Sequence, residues 1–223
     1  MIRLKVAALV AFGLIGVASL YVVSQGVDAL RALTPIEQER DGWQRPSDVI
    51  GALSLEPGNV VVDLGSGVGY FALKISPIVG ERGAVVAVDL RRESLAFLWI
   101  RAWRAGARNI RVIVGDADDP RVPSVASDAV LVANTYHELA NPRTILGALS
   151  RSMKRGARIV VVDRGPRTGA GSREAAADHH EIAPDLAEQA VRQAGFEVMS
   201  RQDRFIDRPA DDHVWWLLVA RKP

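Results

Sequence analysis

The 223-residue sequence contains no cysteine. Without thiols the chain cannot form disulfides, cysteine-ligated zinc sites or iron–sulfur clusters, and it cannot use a thiol as a nucleophile. Net charge is also nearly absent, because 28 Lys and Arg side chains are balanced by 26 Asp and Glu side chains, which leaves +2 at neutral pH. A net charge this small does not favour nucleic acid as a partner.

Charge is missing entirely from one stretch near the N terminus. Residues 6–27 include no charged residue and no proline. A helix of this length, about 33 Å, can cross the hydrocarbon core of a membrane. The sequence therefore predicts that residues 1–30 form a transmembrane anchor, with a cleaved signal segment or a buried core helix as the alternatives. The basic residues on the two sides of the stretch nearly balance, so the orientation in the membrane stays open.

Between residues 31 and 45 the sequence is rich in charge. Because a residue that precedes proline avoids helical geometry, the pair Thr34-Pro35 is expected to end any helix that continues from the anchor. The sequence thus predicts a linker at residues 31–45, followed by a single domain at residues 46–223.

Short apolar segments alternate with helical ones throughout this domain. Strands are predicted at residues 59–64, 84–88, 110–114, 129–133, 157–162, 196–200 and 214–220. Helices are predicted at residues 47–53 (with Ser47 as the N-cap), 70–75 (closed by Pro77 and Gly80), 93–105, 142–155 and 184–194. The alternation is typical of an α/β protein with a Rossmann-like, doubly wound, mostly parallel seven-stranded sheet. The last two strands are expected to form an antiparallel hairpin at one edge, and residues 164–177 a mobile loop.

A glycine-rich turn follows the first predicted strand. In the segment DLGSGVGY, residues 63–70, glycine occupies positions 65, 67 and 69. Glycines allow a ligand to approach the backbone, and the N terminus of the next helix presents free N–H groups. Ligands of open parallel sheets bind beyond the carboxyl ends of the strands, where Asp89 and Asp116 follow the second and third predicted strands. An acid after the second strand can accept both hydroxyl groups of a ribose, so a nucleoside cofactor is predicted.

The spacing of the glycines distinguishes between two such cofactors. The fingerprint for a pyrophosphate is G-x-G-x-x-G, whereas this chain has Gly65, Gly67 and Gly69 with Asp63 just before them. A carboxylate at this position repels a pyrophosphate and attracts a cation. S-adenosylmethionine carries an ammonium and a sulfonium group and no phosphate, so it is favoured over a dinucleotide. An NAD-dependent oxidoreductase on a related sheet stays the alternative.

Five segments together resemble the class I S-adenosylmethionine-dependent methyltransferases, over about residues 43–221. VVDLGSGVGYFAL is similar to their first motif, VVAVDL to their second, VIVGDADD to their adenine-side motif and DAVLVANTYHEL to their fourth-strand motif. GARIVVVD and the terminal hairpin agree with their sheet. The chain resembles in particular the bacterial small-molecule enzymes of the ubiquinone- and arsenite-methyltransferase-like group. Arsenite chemistry needs thiolate ligands, so the lack of cysteine argues against that branch.

The resemblance implies in-line displacement of a methyl group from a sulfonium to an oxygen, nitrogen or carbon atom of a small or lipophilic acceptor. It implies that cofactor-binding residues lie at the ends of the first four strands: Asp63, Gly65, Ser66, Gly67 and Gly69 near the methionine part, Asp89 at the ribose with Leu90 beside it, Asp116 and Ala117 at the adenine, and Asn134 toward the substrate entrance. Alignment of the reactants can supply up to about 7–11 kcal/mol of the acceleration. A domain that binds the cofactor without methyl transfer is a further alternative.

A protonated oxygen or nitrogen acceptor also requires a base, and the chain has four histidines. His137 follows the fourth strand, where such folds bind acceptors, and is the candidate base; a backbone-bonded histidine without a catalytic role is the alternative. Trp43, Tyr136 and His180 are candidate substrate contacts. The histidines show no metal-ligand spacing with the acids, so no metal site is predicted. With its anchor, the protein is expected at the bacterial inner membrane, or outside the cell if the segment is a cleaved signal.

Overall fold

The computed structural model describes residues 28, 30–124, 126–166, 180–208 and 213–223. The chain divides into two compact units, with the boundary between Gln44 and Arg45. In the first unit, residues 30–43 form one helix, α1. The predicted anchor at residues 6–27 lies outside the described residues. None of the helices in the described ranges combines the length and the apolar character that a membrane span requires.

The expectation that Thr34-Pro35 ends a helix is wrong, because α1 continues through Pro35. A proline inside a helix removes one backbone N–H donor, and the residue before it is disfavoured in helical geometry without being excluded from it. Here residues 37–40 are Glu, Gln, Glu and Arg, which are all strong helix formers and favour the helix beyond the proline. Thr34 and Pro35 therefore do not end the helix.

The second unit contains one sheet with helices between its strands. The strands are β1 (Val60–Leu64), β2 (Ala84–Asp89), β3 (Ile110–Val114), β4 (Ser127–Ala133), β5 (Met153–Gly165), β6 (Glu197–Arg208) and β7 (His213–Arg221). The helices are α2 (Pro46–Ala52), α3 (Tyr70–Val79), α4 (Arg92–Arg104), α5 (Pro142–Ser152) and α6 (Pro184–Gln193), with a 3₁₀ turn at Tyr136–Glu138. The strand order is β3-β2-β1-β4-β5-β7-β6, and all pairs are parallel except those of β7 with β5 and β6. The predicted seven-stranded sheet with an antiparallel C-terminal hairpin is confirmed.

Burial explains the continuous apolar runs of the central strands. β1 lies between β2 and β4, so that Val62 pairs with Val86 on one side and with Val130 on the other. All three of these valines are buried. Parallel strands covered on both faces bury nearly every residue, which is why their sequences do not alternate between apolar and polar. Tyr136 and Trp216 extend this core toward the hairpin, and their rings contact edge to face with centroids 6.3 Å apart.

Two predicted helix boundaries differ in the structure. Ser47 is not the N-cap of α2, because Arg45 takes that position with a φ of 54° and Pro46 is the first helical residue. Helix α3 continues through Pro77, which lies in its last turn and removes only a single hydrogen bond. It ends instead at Gly80, whose φ of 66° favours glycine.

The C-terminal end of the chain explains why α5 is shorter than predicted. The N–H of Gly156 donates to the carbonyl of Lys222 at 2.7 Å, and the N–H of Lys222 donates to the carbonyl of Ala157 at 2.9 Å. These bonds keep the residues after Ser152 extended, so β5 begins at Met153. Strand β5 also includes the first two residues of the predicted mobile loop at 164–177, and residues 167–177 lie outside the described part.

Candidate active site

The glycine-rich turn leaves β1 at the carboxyl edge of the sheet. Gly65, Gly67 and Gly69 have φ angles of 73°, 53° and 92°, in the region that favours glycine. The N–H groups of Gly65 and Ser66 donate to the carbonyl of Val88 at 2.8 and 3.0 Å. The turn is therefore held against the end of β2, and α3 begins directly after it.

The three glycines have different surroundings. A β carbon at Gly65 would overlap the side chain of Thr135, and a β carbon at Gly69 would overlap the side chain of Leu98. At Gly67, a β carbon would meet no atom of the described residues within 4 Å. Packing thus requires the outer two glycines, whereas the middle glycine borders open space that a ligand can enter.

Asp89 ends β2 and connects the turn with the start of α4. Its Oδ2 accepts a hydrogen bond from the N–H of Gly67, and its Oδ1 accepts one from the N–H of Arg91, each at 2.8 Å. The side chain of Asp89 is only 6% exposed. Nε of Arg91 also lies 3.5 Å from Oδ1. A carboxylate offers about four acceptor positions, so these contacts leave acceptor capacity for ligand hydroxyl groups. The structure thus places Asp89 beside the turn and adds a role that the sequence did not show, which is to hold the turn.

Two buried polar atoms at this edge have no hydrogen-bond partner within the described ranges: Oγ of Ser66 and Oδ1 of Asn134. Asn134 follows β4 with a φ of 53°, and its N–H donates to the carbonyl of Val162 at 2.8 Å. The backbone of Asn134 is therefore held by a hydrogen bond, whereas its side-chain oxygen has no hydrogen-bond donor among the described residues. A buried polar group without a partner is costly, and a polar ligand can supply that partner. These atoms fit a cofactor with hydrogen-bonding groups.

The other predicted cofactor residues differ in exposure. Asp63 is 2% exposed within β1, and Leu90 is 57% exposed after β2. Asp116 is exposed; its carboxylate accepts a hydrogen bond from the N–H of Ala117 at 2.7 Å and forms an ion pair with Arg121 at 3.1 Å. All of these residues lie at or near the carboxyl ends of β1, β2 and β3. The ion pair between Asp116 and Arg121 was not predicted.

His137 is buried beside an acid that the sequence prediction missed. Its Nδ1 lies 2.8 Å from Oδ1 of Asp163, and its backbone N–H donates to Oδ2 of Asp163 at 3.0 Å. Asp163 is fully buried in β5 and also accepts a hydrogen bond from the N–H of Arg164. An ionised carboxylate only accepts hydrogen bonds, so Nδ1 of His137 donates to it, and in a neutral imidazole Nε2 is then the nitrogen that carries the lone pair. The signal for Asp163 was the same as for Asp89: an acid that follows a buried apolar run.

The predicted substrate contacts lie in three different settings. Tyr136 is fully buried, and its ring packs in the core against Trp216, so its role as a substrate contact stays a prediction. Trp43 lies in α1, in the first unit, and its role stays a prediction. His180 is exposed, and its ring lies edge to face with the ring of His137, with centroids 5.4 Å apart.

The side chain of Glu138 lies close to both of these histidines. The ligand atoms of His137, Glu138 and His180 all lie within 4.8 Å of one another. No metal site was predicted because the histidines lack ligand spacing along the chain. That reason does not hold in the folded protein, since β5 and the segment before α6 bring His180 to a turn that is distant in sequence.

Three comparisons with known proteins bear on this site. A family model described as a methyltransferase domain matches residues 55–202, which include the glycine turn, Asp89, Asp116 and His137. A ubiquinone/menaquinone biosynthesis C-methyltransferase from Coxiella burnetii is 30% identical over 110 residues, 49% of this chain and 44% of that protein. A protein-L-isoaspartate O-methyltransferase from Archaeoglobus fulgidus is 34% identical over 110 residues, 49% of this chain and 48% of that protein. The chain thus spans less than half the length of these relatives.

The fold is also found in solved structures. The crystal structure of a SAM-dependent methyltransferase from Aquifex aeolicus covers 78% of this chain and 88% of that chain, with a TM-score of 0.66 and 23% sequence identity. At this identity the likeness shows the fold alone.

Proposed function

Because the chain belongs to the methyltransferase-domain family, we propose that it is an S-adenosylmethionine-dependent methyltransferase that acts on a small or lipophilic acceptor. The observation that carries this proposal is the pair of buried polar atoms, Oγ of Ser66 and Oδ1 of Asn134, at the edge where Gly67 borders open space. When bound, the cofactor supplies a methyl group on a sulfonium, from which a neutral thioether is a good leaving group.

Charge supports this cofactor over a dinucleotide. Asp63 and Asp89 are both nearly buried at the end of adjacent strands. The carboxylate of Asp63, just before the glycine turn, opposes a pyrophosphate and favours the ammonium and sulfonium groups of S-adenosylmethionine. The acceptor capacity of Asp89 suits ribose hydroxyl groups. The exposed apolar side chain of Leu90 can cover the same nucleoside.

On the acceptor side, the pair of His137 and Asp163 supports a role in removing a proton. Asp163 fixes the ring of His137 through Nδ1, so the lone pair of Nε2 has one defined direction. A base held in this way contributes roughly 100-fold or more to a transfer that needs deprotonation. His137 is thus placed to accept a proton or to bind a cation, and only one of these roles can be exercised at a time.

The class of acceptor is inferred from the relatives and from the N-terminal sequence. The relatives named above are, by their names, a C-methyltransferase of ubiquinone/menaquinone biosynthesis and an O-methyltransferase of protein L-isoaspartate, and the chain covers less than half of each. The uncharged run at residues 6–27 favours a membrane location and therefore a lipophilic acceptor. A reporter fused to the C terminus would give the side of the membrane. A soluble reporter fusion without membrane association would contradict the anchor.

Methyl transfer can be tested with the full chain and methyl-labelled S-adenosylmethionine, incubated with membrane and soluble cell extracts. We expect label in a small-molecule or lipid fraction. His137→Ala is expected to lower the rate by about 100-fold with little change in cofactor affinity, and that affinity also reports whether the variant is folded. Glu81→Gln, at the opposite edge of the sheet, is the matched control.

Two outcomes would contradict the proposal. Cofactor binding without label in any fraction would indicate a domain that binds the cofactor and does not transfer its methyl group. An unchanged rate in His137→Ala would remove His137 from the reaction.

A further inference from the structure

Three side chains with metal-binding atoms meet on the acceptor side of the site. His137 and Glu138 lie in the 3₁₀ turn after β4, and His180 precedes α6. Nε2 of His137 and Oε1 of Glu138 are 3.7 Å apart, and all three ligand atoms lie within 4.8 Å of one another. Two imidazoles and one carboxylate are a ligand set found in catalytic zinc sites and in non-haem iron sites.

The orientation of His137 is typical of a metal ligand. Metal-bound histidines nearly always donate their other ring N–H to a carboxylate or a carbonyl, which fixes the ring and raises the basicity of the ligating nitrogen. Asp163 accepts that bond from Nδ1 of His137 at 2.8 Å, and it is fully buried. The cluster therefore has its three ligand side chains and a carboxylate that orients one of them through a hydrogen bond.

The segment that carries His180 is held close to the cluster. The N–H of Ile182 donates to the carbonyl of Arg164 at 2.9 Å, and the indole N–H of Trp216 donates to the carbonyl of Ile182 at 2.8 Å. Ile182 itself is 1% exposed. His180 is thus only two residues from Ile182, which is buried and whose backbone N–H and carbonyl groups are both hydrogen-bonded.

We propose that His137, Glu138 and His180 bind a divalent first-row transition metal ion. Bonds from zinc to imidazole nitrogen or carboxylate oxygen are about 2.0–2.2 Å, so the ligand atoms must approach one another when the ion binds. Glu138 and His180 can make this movement because their side chains are exposed, whereas His137 is fixed. Two imidazoles favour zinc, iron or cobalt over calcium or magnesium, which prefer oxygen ligands.

Three protein ligands leave open coordination positions beside the acceptor side of the site. These positions suit an oxygen atom of the acceptor, such as a hydroxyl or phenol group. This part of the proposal rests on the proposed function, whereas binding of the ion does not. If the ion is bound, Nε2 of His137 is a ligand and is not the base.

The test uses the full chain after treatment with a chelator, titrated with Co²⁺ and with Zn²⁺. We expect one ion per chain and a Co²⁺ absorption spectrum of low coordination number. Loss of a group that only hydrogen-bonds to a ligand weakens metal affinity by roughly 10–100-fold, so removal of a ligand itself, in His180→Ala or Glu138→Gln, is expected to weaken it by about 100-fold. Both side chains are exposed, so the variants are expected to fold. Glu181→Gln, next to the cluster, is the matched control and should bind as the wild type does.

Two results would overturn the proposal. Equal Co²⁺ affinity in His180→Ala, Glu138→Gln and Glu181→Gln would remove the site. Undiminished methyl transfer by the metal-free protein would show that the acceptor does not bind to the ion. Binding of S-adenosylmethionine is measured in parallel. If the cofactor binds and Co²⁺ does not, the proposed metal site is wrong and the proposed function stands. If Co²⁺ binds and no label is ever transferred, the metal site stands and the proposed function is wrong.

Discussion

The two edges of the parallel sheet carry the same kinds of polar residue and use them differently. At the amino edge, Oδ2 of Asp128 accepts a hydrogen bond from the N–H of Val60 at 2.8 Å, and its Oδ1 pairs with Lys154 at 2.6 Å. At the carboxyl edge, Asp89 holds two backbone N–H groups and keeps acceptor capacity beside open space. Asp128 therefore serves the fold alone, whereas Asp89 serves the fold and a ligand.

Asparagine and serine repeat this contrast. At the amino edge, Asn109 donates to the carbonyls of Ser76 and Gly80, both at 2.9 Å, and accepts from Oγ of Ser76 at 2.5 Å. At the carboxyl edge, Oγ of Ser66 and Oδ1 of Asn134 are buried with no partner in the part of the chain that the structure describes. Residue type does not distinguish the two edges. What distinguishes them is whether the hydrogen-bonding capacity is already used.

The largest expected contrast is between Asp89→Ala and Asp128→Ala. Hydrogen bonds to a charged group are worth about 1.5–3 kcal/mol each, so loss of the ribose contacts should raise the Kd of S-adenosylmethionine about 100-fold. Asp128→Ala leaves the N–H of Val60 unpaired and should lower the free energy of unfolding by about 1–3 kcal/mol without changing that Kd. Titration calorimetry and urea unfolding measure the two quantities. Equal Kd values for the two variants would remove the contrast.

A second contrast compares Gly67→Ala with Gly58→Ala. Both glycines have positive φ, 53° and 96°, and at neither would a β carbon meet a described atom within 4 Å. Each variant should therefore be less stable by roughly 1–2 kcal/mol. Only Gly67→Ala places a methyl group at the ligand edge, where it should raise the Kd of the cofactor about tenfold, or about 1.4 kcal/mol. A Kd unchanged by Gly67→Ala would show that the cofactor does not approach this glycine.

A smaller effect is expected for the two serines. Ser76→Ala removes a hydrogen bond and should lower the free energy of unfolding by about 1 kcal/mol. Ser66→Ala removes a hydroxyl group that has no partner among the described residues, so the midpoint temperature of unfolding without ligand should be unchanged or slightly higher. With ligand, Ser66→Ala should weaken cofactor binding by about fivefold, or about 1 kcal/mol. A loss of ligand-free stability in Ser66→Ala equal to that in Ser76→Ala would contradict this assignment.

The smallest effect concerns a charge cluster that belongs to neither edge. The pKa of Glu188 is lowered by hydrogen bonds from Arg192 and Arg201, and the pKa of Asp203 is lowered by its hydrogen bond to Arg201. Lowered carboxyl pKa values stabilise the fold at neutral pH, and this contribution is lost as the pH falls through the folded-state values. Arg201→Gln should thus cost about 0.5–1 kcal/mol at pH 7, because these groups are partly exposed, and should converge with the wild type in acid. An unaltered pH profile of unfolding would contradict this, and cofactor affinity should not change.

Local patterns predicted most of the fold and the position of several polar residues at the carboxyl edge. Strand β3 has the predicted bounds of residues 110–114, and Asp89 lies where the strand-end rule places it. The errors at Pro35 and Pro77 arise because proline weakens a helix by an amount that neighbouring residues can offset. The pairing of His137 with Asp163 and the approach of His180 depend on the adjacency of β4 and β5, which spacing along the chain does not show.

The most direct test of the contrast between the edges is titration calorimetry of the full chain with S-adenosylmethionine and, separately, with NAD. The carboxyl edge, with Asp63 just before the glycine turn and open space at Gly67, predicts binding of one S-adenosylmethionine per chain and no heat of binding with NAD. Binding of NAD without binding of S-adenosylmethionine would contradict the account and favour an oxidoreductase on the same sheet.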